Sequence, residues 1–184
     1  MGPPDDPRKR FEEIYMAYYP ALMAYVRRRV DAPDDAADAL AETFLTAWRR
    51  IDQMPPGQEA RLWLYGVARK VLAGGRRNAR RQEGLAVRLR AELATWTAPP
   101  PDPELDAVRQ AFGRLKDDDR ELLSLVGWEG LSASQAATVL GCSPGTARIR
   151  LHRARKRLAR ELGAGGLDLS RYGSRAAALG GGRS

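Results

Sequence analysis

The only cysteine and the only histidine of this 184-residue chain, Cys142 and His152, both fall in the stretch LGCSPGTARIRLHRARKR. They are the side chains most able to hold a metal or attack a substrate. A zinc site takes three or four Cys, His or carboxylate ligands at set spacings, and this pair cannot supply them. Nucleophilic catalysis needs the base within hydrogen-bond reach of the nucleophile. On a continuous helix these two would stand about 15 Å apart. Cys142 therefore reads as a small apolar packer. No carboxylate pair, phosphate loop or His-centred constellation appears elsewhere. The sequence predicts no catalytic residue, no metal and no cofactor, and the chain is not expected to be an enzyme.

The chemistry left in the stretch is cationic. Ser132 and Gln135 are spaced as a capping box for a short helix over 133–140, and Gly141 suits the left-handed residue that closes one. Ser143 then reads as a new N-cap with Pro144 at the first helical position. Cap, turn and restart together have helix-turn-helix spacing. At 100° per residue, Ala147, Leu151, Ala154 and Leu158 form a core stripe on the second helix. Ile149, His152, Arg153 and Lys156 lie opposite, with Arg148 and Arg155 on one edge and Arg150 and Arg157 on the other. A helix in the major groove needs this layout, a reading face flanked by cations for the phosphate walls. Arg148, Ile149, His152, Arg153 and Lys156 are the predicted base-reading residues. Ser143, Thr146, Arg150, Arg155 and Arg157 are the predicted phosphate contacts. A merely solvated cationic face is disfavoured, because Glu161 is the one acid in the last turns of this helix.

The elements that carry this helix are helical throughout. Phe11, Ile14, Tyr15, Tyr18, Leu22, Tyr25 and Val26 recur at three- and four-residue steps. A second helix follows Pro33, with Leu40, Phe44, Ala47, Trp48 and Ile51 on one stripe, and breaks at Met54-Pro55-Pro56-Gly57. A third turns Leu62, Trp63, Val67, Val71 and Leu72 inward and is expected to end near Gly74-Gly75. The run TAPPPDPE reads as an extended linker, with a short helix over 85–93 before it. Leu105, Val108 and Phe112 mark one helix beyond it. Leu122, Leu123, Leu125 and Val126 mark another, with Asp118 and Glu121 spaced as a capping box. The expected fold is all-α, with two small helical domains over 8–82 and 104–162 joined by a Pro-rich linker at 83–103. A disordered tail is expected at 163–184.

Composition agrees with a nucleic-acid partner: 31 Lys and Arg against 23 Asp and Glu leave a net charge of +8. A single cysteine excludes an intrachain disulfide. The opening MGPPDDPRKR has no apolar core segment, and no run is long enough to span a bilayer, so a cytoplasmic location without membrane insertion is expected.

Three stretches carry a resemblance: DALAETFLTAWRR, RLWLYGVARKVLAGGRR and RELLSLVGWEGLSASQAATVLGCSPGTARIRLHRARKRL. In order and spacing the chain resembles the extracytoplasmic-function (ECF) sigma factors of bacterial RNA polymerase, over roughly 11–162. The resemblance implies that the first domain binds core RNA polymerase and opens the minus-ten promoter element. The second domain would read minus-thirty-five promoter DNA, and the linker would run near the RNA exit path. It implies polymerase-binding roles for Asp35, Asp38, Glu42, Thr43 and Phe44. Asp35, Asp38 and Glu42 share a helix face. It implies minus-ten strand contacts at Arg61, Lys70, Arg76 and Arg77, with a loop over 55–60 holding a flipped base. Tyr65 is left open as a stacking surface. An anti-sigma factor is a common partner in the family. Departures from the family pattern are Lys70 where Asn is frequent, Gly74, the alanines at 37, 39 and 41, and aliphatic Ile149 on the reading face. A one-component helix-turn-helix regulator is the alternative, but it would need a ligand pocket or dimer surface where the sequence shows basic residues from Arg61 to Arg81.

Overall fold

A computed structural model describes residues 6–82 and 103–165, with backbone alone over 76–82. The chain divides at Gly84/Leu85 into two compact units, each all-helical among the described residues. The short helix expected over 85–93, nearly all of the linker, and the tail from 166 lie outside the described residues.

In the first unit, α1 spans Pro7–Arg27, started by the Asp6 carboxylate accepting from the Arg8 N–H at 3.0 Å. Helix α2 spans Pro33–Arg49; it has no side-chain cap, but Pro33 presets its first turn and Asp34 and Asp35 offset the positive end of its dipole. A 3-10 turn over Ile51–Gln53 leads to Gly57, whose φ of +61° favours glycine, and then to α3, Gln58–Gln82. The three helices enclose Leu22, Tyr25, Val26, Leu40, Ala47, Leu64, Tyr65 and Ala68. Each such large aliphatic side chain contributes about 1.5–3 kcal/mol by leaving water. Tyr25 and Tyr65 pack with ring centroids 5.0 Å apart. A second aromatic group joins α1 to α2, with Phe11 edge-on to Trp48 at 5.3 Å and Tyr15 against Phe44 at 4.7 Å.

Three expectations change in this unit. Trp48, assigned to the buried stripe, sits at its rim with 39% of its surface exposed. Helix α3 does not stop at Gly74-Gly75 but continues to Gln82, since a helical glycine costs only about 1 kcal/mol relative to alanine. The loop before it is shorter than 55–60, since Gln58 already opens α3.

The second unit comprises α4 (Pro103–Gly113), α5 (Asp117–Gly127), α6 (Ala133–Leu140) and α7 (Pro144–Ala164). Its core holds Ala111, Leu115, Leu122, Leu125, Leu131, Ala136, Ala137, Val139, Ala147, Leu151 and Ala154. Helix α4 buries only Ala111, while its Leu105 and Val108, and Trp128 at the end of α5, stay exposed. Phe112 meets Trp128 edge-on at 5.2 Å. The capping box expected at Asp118 and Glu121 is absent: α5 starts earlier, after Lys116, with Asp117, Asp118 and Asp119 in its first turn. Arg120 ties that turn to α4 through the Gly113 carbonyl at 2.9 Å and the Asp117 carboxylate.

Candidate nucleic-acid interface

The turn between α6 and α7 forms as its residues dictate. Ser132 Oγ accepts from the Gln135 N–H at 3.2 Å while Gln135 Oε1 accepts from the Ser132 N–H at 2.9 Å, a complete capping box. Gly141 closes α6 at φ +67°, and the Cys142 N–H reaches back to the Ala137 carbonyl at 3.0 Å. Ser143 Oγ then caps α7 by accepting from the Thr146 N–H at 3.1 Å, and the two hydroxyls lie 2.8 Å apart. Cys142 is half-buried in the turn, with its backbone serving the cap.

On α7 the expected faces separate. Ala147, Leu151 and Ala154 are buried and Leu158 is half-buried. Arg148, His152, Arg153 and Lys156 are exposed, and Ile149 presents 56% of its surface to solvent. Ser143 and Thr146 stand exposed together at the N-terminal end. Arg155 is half-buried, and that burial pulls its guanidinium below the ordinary value, though an arginine stays charged at neutral pH. Arg153, Lys156 and Arg157 line a shallow concavity with Arg160, a cation the sequence reading did not single out.

Arg150 and Arg157, the second cationic edge, are ion-paired within the unit. Arg150 pairs with Asp118 at 3.0 Å, and Arg157 with Asp119, whose side chain is only 7% exposed. Both are engaged by α5 instead of standing clear for phosphates. The compensating acids absent from α7 itself come from the first turn of another helix, far away in sequence.

The first unit brings its expected residues together only in part. On α2, Asp35, Asp38 and Glu42 are exposed on one face, and Leu45, 42% exposed, lies between them and Arg49 on that same side. Thr43 and Phe44 do not join that face. Thr43 is fully buried, its hydroxyl donating to the Ala39 carbonyl at 2.6 Å, and Phe44, 6% exposed, packs among the rings of α1. Neither side chain is available to a partner, because the helix register turns both toward the core. On α3, Arg61 and Lys70 stand nine residues apart and so point to opposite sides of the helix. Lys70 is exposed, whereas Arg61 lies over the ring of Tyr65, 3.4 Å from its hydroxyl. Tyr65, left open as a stacking surface, is 1% exposed and belongs to the core. Arg76 and Arg77 fall in the later turns of α3, where side chains lie outside the described residues. The loop before α3 is fastened to α1, with Arg10 donating to the Met54 carbonyl and the Tyr18 hydroxyl to the Gly57 carbonyl at 3.2 Å. Among the described residues no cluster of His, Cys, Asp or Glu is suited to a metal, and no helix is long and apolar enough to cross a membrane.

Comparison with known proteins agrees with this division. Residues 14–82 match the Sigma-70 region 2 family, and residues 105–158 match Sigma-70 region 4. The chain is 33% identical over 144 residues to the ECF RNA polymerase sigma factor EcfG of Rhodopseudomonas palustris, covering 78% of this chain and 80% of the relative. It is 29% identical over 171 residues to the RNA polymerase sigma factor CarQ of Myxococcus xanthus, covering 91% and 97%. Among solved structures, it is similar to the sigma factor RpoE of Bartonella quintana in complex with the anti-sigma factor NepR, with TM-score 0.61, 27% identity and coverage of 83% and 96%. It is also similar to CnrH in complex with the cytosolic domain of CnrY, with TM-score 0.60, 28% identity and coverage of 84% and 88%. Helix-turn-helix, basic helix face and matched regions in their order lead to one conclusion: the chain belongs to the ECF sigma factors of RNA polymerase.

Proposed function

We propose that this sigma factor reads the minus-thirty-five promoter element through Ile149, His152, Arg153 and Lys156 of α7, with Arg155, Ser143 and Thr146 on the phosphates. Arg148, expected among the base readers, joins the phosphate contacts because it shares its edge with Arg155. The observation that carries this reading is the outward exposure of those four side chains opposite the buried Ala147, Leu151 and Ala154. An aliphatic group such as Ile149 suits a thymine methyl, and an arginine suits a guanine edge. The chain supplies promoter choice and strand opening, while the polymerase carries the chemistry.

The first unit engages core polymerase through the outer face of α2, with Asp35, Asp38 and Glu42 meeting a basic surface around exposed Leu45. Lys70, with Arg76 and Arg77 in the following turns, tracks the opened minus-ten strand. Arg61 stands instead beside the fastened loop at Met54–Gly57, where a flipped base would be held. An anti-sigma factor is the third partner, by extension from the RpoE–NepR and CnrH–CnrY complexes. The protein works in the cytoplasm and joins the nucleoid when bound to polymerase.

Reconstitution with bacterial core polymerase on promoter DNA from the source genome tests the whole assignment. Co-purification with core and initiation from a subset of promoters are expected. A chain that ignores core but binds duplex DNA tightly as a dimer would instead be a one-component regulator.

A further inference from the structure

The two cationic edges of α7 are treated differently by the rest of the second unit. Arg148 and Arg155 make no ion pair among the described residues, whereas Arg150 and Arg157, two turns apart on one edge, both reach the first turn of α5. The remaining ties of α7 to its neighbours include the buried Ala147, Leu151 and Ala154, the partly covered Leu158, and a longer ion pair from Glu161 to Arg114 at 3.8 Å near the far end of the helix. Two alanines and a leucine present a smooth stripe, which resists separation from the core better than it resists rotation about the helix axis. Rotation matters for reading. At an outer radius of about 5–6 Å, a turn of roughly 20° moves a side-chain tip by about 2 Å, beyond the tolerance of a hydrogen bond to a base edge.

We infer that Asp119 is a positioning residue for promoter reading: by holding Arg157 it fixes the rotation of α7 that turns Ile149, His152, Arg153 and Lys156 toward the bases. Asp119 suits this role because its side chain is 7% exposed and stands in the first turn of α5, where the helix dipole favours an acid. A carboxylate shielded in that way is screened little by salt. Asp118 is different, with 65% of its side chain exposed; it acts as a counter-charge that keeps Arg150 from the DNA phosphates. The inference rests on α7 being the promoter-reading helix.

The test uses holoenzyme assembled from core polymerase and the full chain, bound to promoter fragments with a fixed minus-ten element and single-base changes at minus-thirty-five. Asp119→Asn is expected to reduce discrimination between preferred and altered minus-thirty-five sequences about tenfold. Asp119→Glu restores part of it. Arg157→Lys, which keeps the charge but loses the planar fork, should reproduce the Asn variant without loss of folded helix by circular dichroism. Asp118→Asn is expected to tighten binding to all fragments and to steepen the salt slope by about 0.9 as Arg150 gains a phosphate. Asp119→Asn and Arg157→Lys enzymes that lose melting temperature but keep full discrimination would overturn the inference, and an unchanged slope in Asp118→Asn would overturn the counter-charge. Arg153→Ala separates the layers. If it too leaves minus-thirty-five preference intact, the reading of α7 itself fails; if it alone shifts preference, only the role of Asp119 does.

Discussion

At the residue scale, the side chains on α7 divide by what they can reach. His152 and Arg153 are exposed at the middle of the outer face, so His152→Ala or Arg153→Ala should alter preference at particular minus-thirty-five positions, at a cost of about 1–3 kcal/mol for a lost base contact. Arg148→Ala should instead weaken binding to all sequences and lower the salt slope by about 0.9, as for one lost phosphate contact. Binding isotherms at several salt concentrations on altered promoters distinguish the two. In the first unit, Phe44→Ala should lower stability by about 3–5 kcal/mol, measured by denaturant unfolding, because Phe44 is a core ring. The outer face of α7 was legible from periodicity, since a helix sorts its residues by angle alone. The engagement of Arg150 and Arg157 was not, because the partners Asp118 and Asp119 come from a different helix whose approach depends on tertiary packing. The clue was available as a run of three acids, Asp117 to Asp119, but in a sequence such a run reads equally well as capping. Thr43 and Phe44 show the opposite failure: the resemblance marked the motif as a contact, although two of its side chains are turned inward and shape the face instead of forming it.

At the element scale, the turn between α6 and α7 was readable almost atom by atom, because caps are local. Ser132, Gln135, Gly141, Ser143 and Pro144 each satisfy a backbone need within four residues. Longer-range boundaries were less so. Gly74-Gly75 reads as an end in isolation, yet α3 continues through it to Gln82. Gly141→Ala is expected to destabilise the second unit by about 1–2 kcal/mol through its left-handed backbone alone, since nothing lies within 4 Å of an added Cβ. Ser143→Ala should cost about 0.5–2 kcal/mol by removing the cap of α7. Thermal melts check both, and a Gly141→Asn variant, tolerant of that backbone region, should lose less than the alanine.

At the scale of the whole molecule, two separate apolar cores imply two separately tunable bodies. Leu64→Ala in the first and Leu122→Ala in the second, both fully buried, should each cost about 2–5 kcal/mol, and hydrogen exchange should report the loss in the mutated unit. The all-helical architecture of the described residues followed from hydrophobic periodicity, a signal that needs no knowledge of partners. The Asp119–Arg157 contact, shielded on its carboxylate side, has a consequence for a bacterium under osmotic stress. As potassium accumulates in the cell, attraction to phosphates weakens at all promoters alike, while the proposed role of Asp119 predicts that the reading helix keeps its angle. On that reading, occupancy falls at every promoter while the order of preference among them survives.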